Sequence, residues 1–197
     1  MKAIKFNNIR SFNKSIFRYI IFSFVLFSST AFISGLILKN HSLHAISYIN
    51  NLSENIPNLH TYKLFVYLFI SNSLVCMTAI ITGKIPFLFI PILPCVKNGY
   101  TLGVLFAVFK TLNRNRLLLF LFGILPHGIF EIPAIIYDFS IGLYLCKMNT
   151  FAIIKNIPAK NYNTEIKQSF IFIILPLLLI AALIEAFITP ILITFIT

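Results

Sequence analysis

LLLFLFGILPHGIFEIPAIIYDFSIGLYLC, residues 117–146, decides how this chain is to be read. The run is apolar from end to end, and its only acidic or basic side chains are His127, Glu131 and Asp138. A helix needs about 20 such residues to cross the hydrocarbon core of a bilayer. This stretch is longer than one crossing, so it is free to tilt, kink or extend along the interface. Pro126-His127-Gly128 and Pro133 interrupt it, and Gly128 permits a bend.

Four further apolar regions surround it, at residues 19–38, 64–82, 85–109 and 169–197. The first, second and last are simple crossings, with Asn72 near the middle of the second and Glu185 near the middle of the last. Pro190 follows Glu185 by just over a turn and predicts a kink there. The third region carries Pro86, Pro91, Pro94 and Lys97-Asn98-Gly99, and reads as too broken for one regular helix. Backbone of that kind is tolerated only inside protein or beside a wet cavity. Asn98 and Gly99, with Gly103 one turn on, therefore predict a turn at bilayer depth. Residues 40–62 read as a surface loop.

The composition agrees with this. Of 197 residues, 58% are hydrophobic and 11% charged, and the mean hydropathy is +0.91. A soluble surface needs about 25% charge, so a soluble enzyme domain is excluded. Disorder is excluded as well, since it requires few apolar residues. The expected fold is an all-α integral membrane protein of about five transmembrane helices, one domain over residues 1–197, with its third and fourth regions broken at Pro or Gly.

Sixteen Lys and Arg stand against five Asp and Glu, a formal charge of +11. The basic residues flank apolar runs, which suits anionic lipid and not nucleic acid. With the N-terminus inside and five crossings, Lys2, Lys5, Arg10, Lys14, Arg18, Lys84, Lys147, Lys155, Lys160 and Lys167 fall inside. Lys39, Lys63, Lys110, Arg114 and Arg116 fall outside. This bias sets the expected topology: cell membrane, N-terminus inside, C-terminus outside. The first run is longer than a signal-peptide core and has no clean cleavage site, so it reads as an uncleaved helix.

Cys76, Cys95 and Cys146 are scattered and read as small apolar fillers, not a disulfide framework or zinc site. His41, His44 and His60 read as solvated loop residues. No cofactor and no metal are expected, because only His127 is placed to contribute and a site usually needs three or four ligands.

Inside the membrane the informative residues are Asn72, Asn98, His127, Glu131 and Glu185. Buried charge is costly, about 2.5–3.5 kcal/mol on insertion scales, so such groups pair, face a cavity or stay protonated. His127 and Glu131 are four apart and share a helix face that Ala134, Asp138 and Gly142 continue. They are expected to form a polar cluster with Glu185, and Lys97 is a candidate partner. Gly99, Gly103, Pro126, Gly128, Pro133, Gly142 and Pro190 are the expected hinge and packing positions.

These residues resemble the stage II sporulation protein M family, long regarded as a membrane family of unknown function. The resemblance rests on Asn72, Gly83, KNGYTLG at 97–103, ILPHGIFEIPAI at 124–135, Gly142 and IEAFITP at 184–190. It runs from about residue 15 to the C-terminus. One departure is Ser73, where the family often has a second Asn beside Asn72. The resemblance implies a five-helix membrane protein of Gram-positive or archaeal type. It implies a scaffold that localises peptidoglycan-degrading partners during engulfment without cutting the wall itself. Similar proteins accompany circular bacteriocins, with roles proposed in maturation, export or immunity.

Three functions follow as expectations. The first is a non-enzymatic membrane scaffold that recruits envelope partners, such as wall hydrolases. The second is a component for maturation, export or immunity of a bacteriocin-type peptide, working with an export ATPase. The third is an intramembrane enzyme using His127 and Glu131, disfavoured because no Ser or Cys nucleophile lies at an obvious spacing.

Overall fold

A computed structural model describes residues 6–38, 42–54, 60–111 and 116–195. Among them there is helix and no strand. We number the helices α1 (Phe6–Leu38), α2 (Ser42–Glu54), α3 (Thr61–Gly83), α4 (Ile92–Thr111), α5 (Leu117–Lys155) and α6 (Asn163–Thr194). All except α2 are long and apolar enough to cross a membrane. Their outward faces carry Phe32, Leu74, Ile129 and Phe172, all more than half exposed, as lipid-facing helices require.

Small residues set how closely the helices approach. A Cβ on Gly103 would meet the Ser34 hydroxyl and Ala31 carbonyl of α1, and one on Gly99 would meet Thr30. A Cβ on Gly142 of α5 would stand 2.7 Å from the Ala79 carbonyl of α3 and 2.9 Å from Pro91 Cγ. Gly83 meets the Gly142 backbone in the same way.

The third apolar region breaks earlier than its sequence suggests. The non-helical stretch is residues 84–91, and α4 then runs unbroken from Ile92 through Asn98, Gly99 and Gly103. Pro94 falls in the first turn, where the missing N–H is not needed. The turn expected at Asn98-Gly99 is thus corrected, and no glycine among the described residues has positive φ. Positive φ falls instead on Phe87 and Phe89 between Pro86 and Pro91. That turn is clamped by α5: Thr150 Oγ1 accepts from the Phe87 N–H at 2.8 Å, and Asn149 Nδ2 donates to the Lys84 carbonyl at 2.9 Å.

Residues 40–62 also differ from the loop expectation, since 42–54 form α2. Ala45, Tyr48 and Ile49 recur at helical spacing and pack on Val104, Ala107 and Val108 of α4. Tyr48 adds a 3.0 Å bond to Thr101. His44 and His60 are exposed, and His41 lies outside the described residues.

Three π-helical turns interrupt the last two spans, at Phe120–Ile124, Phe170–Ile174 and Ile184–Ile188. Each ends two residues before a proline: Pro126, Pro176 and Pro190. Proline clashes with the carbonyl four residues back and leaves it without a donor. Widening the preceding turn re-pairs the backbone without breaking the helix. At Pro190 the expected kink therefore takes the form of a π turn that includes Glu185.

The bundle has two distinct ends. At one, Tyr19, Tyr144, Tyr162 and Phe12 form an aromatic cluster, with Tyr144 and Tyr162 hydroxyls 2.7 Å apart. Lys147 lies 5.7 Å over the Tyr19 ring and Lys160 5.0 Å over Tyr162. The 84–91 turn joins this end through Asn149 and Thr150.

Candidate functional site

Leu125 starts the long α-helical part of α5 after its π turn, and Pro126, His127, Gly128 and Glu131 follow within its first two turns. The third π turn, in α6, presents Glu185. The ligand atoms of His127, Glu131 and Glu185 all lie within 4.8 Å of one another. Two consecutive spans, α5 and α6, thus bring a histidine and two carboxylates together at bilayer depth. From a third span, Asn72 Nδ2 of α3 donates to Glu131 Oε1 at 3.0 Å.

The cluster lines a cavity of about 320 Å³. Asn98 and Thr101 of α4 border it too, although Asn98 Nδ2 is spent on the Pro94 carbonyl of its own helix at 2.8 Å. Gly128 and Gly123 shape the wall, and a Cβ on Gly123 would find its nearest neighbour 3.9 Å away. His127 Nδ1 is buried without a hydrogen-bond partner.

Among the described residues no Lys or Arg balances the two carboxylates. Lys97, the candidate partner, is exposed on α4 and makes no ion pair with Glu131 or Glu185. That pairing is corrected: α4 does not turn at Asn98-Gly99, so Lys97 stays on the helix surface.

Gly99, Gly103 and Gly142 act at helix crossings and not as hinges. Pro133 sits within α5 beside an apolar groove shared with Ile20 of α1 and Ile173 of α6. Ser73, at the departure from the family pattern, donates to the Phe69 carbonyl of its own helix at 2.6 Å, so Asn72 is the residue that reaches across.

Two polar features lie outside the set singled out from sequence. Asp138, on the same stripe as Glu131, is fully buried, and neither carboxyl oxygen has a well-formed hydrogen bond. The buried thiol of Cys76 on α3 stands beside it. The second feature is Tyr137, whose hydroxyl donates to Asn13 Oδ1 at 2.7 Å and shares a 3.0 Å bond with Ser169, joining α1, α5 and α6. Asp138 was visible as an intramembrane acid, but nothing in the sequence named its partner. All three cysteines are buried and unbridged.

The sequence profile of the family described as Stage II sporulation protein M matches residues 20–190. An uncharacterized protein of Methanocaldococcus jannaschii is 32% identical over 165 residues, covering 81% of this chain and 89% of that one. No solved structure matches the chain. The matched residues reach into all five long apolar helices and include every member of the polar cluster, and the chain belongs to the stage II sporulation protein M family.

Proposed function

We propose that the protein is a non-enzymatic membrane assembly component that recruits partners for remodelling the cell envelope. The observation that carries this reading is where the polar side chains are spent. Asn72 with Glu131, and Tyr137 with Asn13 and Ser169, join one helix to another, and Tyr144 of α5 holds Tyr162 just ahead of α6. Interhelical bonds of this kind fix helix register in a bilayer, where apolar burial gives no drive for association. The described segments between spans are short, so recognition falls to α2, the 84–91 turn and the lipid-facing helix surfaces.

In this reading the N-terminus faces the cytoplasm and the C-terminus lies outside. Arg18, Lys84, Lys147, Lys155 and Lys160 then meet the anionic inner leaflet. Partners of the expected kind are membrane-attached wall hydrolases.

The test is co-purification of the tagged protein from detergent with wall hydrolases encoded beside its gene, each expressed with it in turn. A stable complex with a hydrolase, lost on disturbing the α2 surface, is expected. Absence of any such complex from a well-folded sample overturns the proposal. A second reading, export or immunity of a bacteriocin-type peptide, draws on the cavity that Asn98, His127, Glu131 and Glu185 line. It requires association with a peptide-export ATPase in the same assay.

A further inference from the structure

We propose that His127, Glu131 and Glu185 form a binding site for a divalent transition-metal ion, Zn²⁺ or Mn²⁺. The argument begins with charge. Two carboxylates and an imidazole converge within 4.8 Å on the wall of one cavity between the spans, and no Lys or Arg among the described residues neutralises them. One divalent cation would cancel both carboxylate charges and replace the missing solvation.

Donor chemistry selects the ion. One imidazole nitrogen with carboxylate oxygens suits Zn²⁺ or Mn²⁺, whereas Mg²⁺ prefers oxygen alone and keeps several waters. His127 Nδ1 is buried with no partner, so the ring has a nitrogen with nothing else to do. Asn72 holds Glu131 Oε1, which is how an outer residue orients a ligating carboxylate.

The geometry is close to what such an ion needs. Ligands of a tetrahedral ion at ~2.1 Å stand ~3.4 Å apart. The widest gap here therefore closes by no more than ~1.4 Å through side-chain torsions. The cavity of about 320 Å³ leaves room for water to complete the coordination. The ion would cross-link α5 and α6 at the π turn that presents Glu185.

This goes beyond the recruiting role, because the experiment reads metal and not partners. The full chain, purified in detergent and stripped with chelator, is dialysed against Zn²⁺ or Mn²⁺ and its metal content measured. The expected result is one ion per chain, with affinity reduced at least about tenfold in His127→Ala and Glu185→Gln. Cys76→Ala should keep the ion. Melting temperature should rise with metal in the parent protein and in Cys76→Ala only. A monodisperse parent protein that takes up no ion overturns the site, as does uptake undiminished in both variants. Should the variants fail to fold, Co²⁺ loaded into the parent protein decides. Weak visible bands without a thiolate charge-transfer band support these ligands, and a thiolate band or no uptake rejects them.

Discussion

Asn72 and Glu131 show how much one hydrogen bond can organise when it crosses between helices in a bilayer. The 3.0 Å bond ties α3 to α5 in the middle of both spans. Bonds of this type are worth about 0.6–1.7 kcal/mol in membrane proteins. Asn72→Ala should lose about that much stability in a detergent-denaturation titration. Ser73→Ala, which removes only a bond to its own helix, should lose distinctly less. Equal losses would mean that the cross-helix bond is not the stabilising one. Asp138 supplies a contrast at the same scale. Its carboxyl is fully buried with no well-formed hydrogen bond, a state that is costly if charged. Asp138→Asn keeps the shape and removes the charge, so its melting temperature should equal or exceed that of the parent protein. A clear drop would identify the carboxylate itself as necessary to the folded state.

Helix crossings depend on glycines whose role is contact distance. Gly103 faces the α1 backbone so closely that a Cβ would stand 2.8 Å from the Gly35 nitrogen. Gly103→Ala forces α1 and α4 apart, and overpacking of that sort costs about 1–3 kcal/mol. Gly123→Ala makes only an ordinary contact, with Ile193 Cδ1 at 3.9 Å. Size-exclusion profiles of the two variants should separate them: reduced folded yield for the first, unchanged yield for the second. At this scale the sequence was only partly legible. The apolar runs marked all five spans, because length and hydrophobicity alone decide whether a helix can cross. Asn98-Gly99 misled because both residues tolerate turns, yet in a crowded bundle the same small side chains are selected for close packing. The 42–54 helix was hidden by its Asn and Ser content, although Ala45, Tyr48 and Ile49 carried its spacing. The π turns had a signal as well, in Pro126, Pro176 and Pro190, but a proline by itself does not say whether a helix kinks or widens.

Across the whole molecule, ordering and charge meet in one question: which end faces the cytoplasm. The polar cluster was readable as three intramembrane ionisable residues, since the cost of isolated charge in lipid obliges them to find company. Their convergence required the three-dimensional path of α5 and α6, which no spacing rule contains. Orientation, by contrast, is argued from the loop charges, and the contacts say only which residues share an end. Lys147 and Lys160 gather with the aromatic cluster at one end, and the 84–91 turn joins them there through Asn149 and Thr150. If that end faces the anionic inner leaflet, Ala159 lies inside and Tyr62, at the start of α3, lies outside. The native cysteines are all buried, so they add little background to thiol labelling. In intact cells a membrane-impermeant maleimide should therefore label Tyr62→Cys at once and Ala159→Cys only after permeabilisation. The reverse pattern would invert the molecule and move the basic end to the outer surface. Labelling of both sites in intact cells would mean that the two residues share one side, which an odd number of crossings between them forbids: α3, α4 and α5 separate them. Such a result would remove one of these helices from the set that spans the membrane.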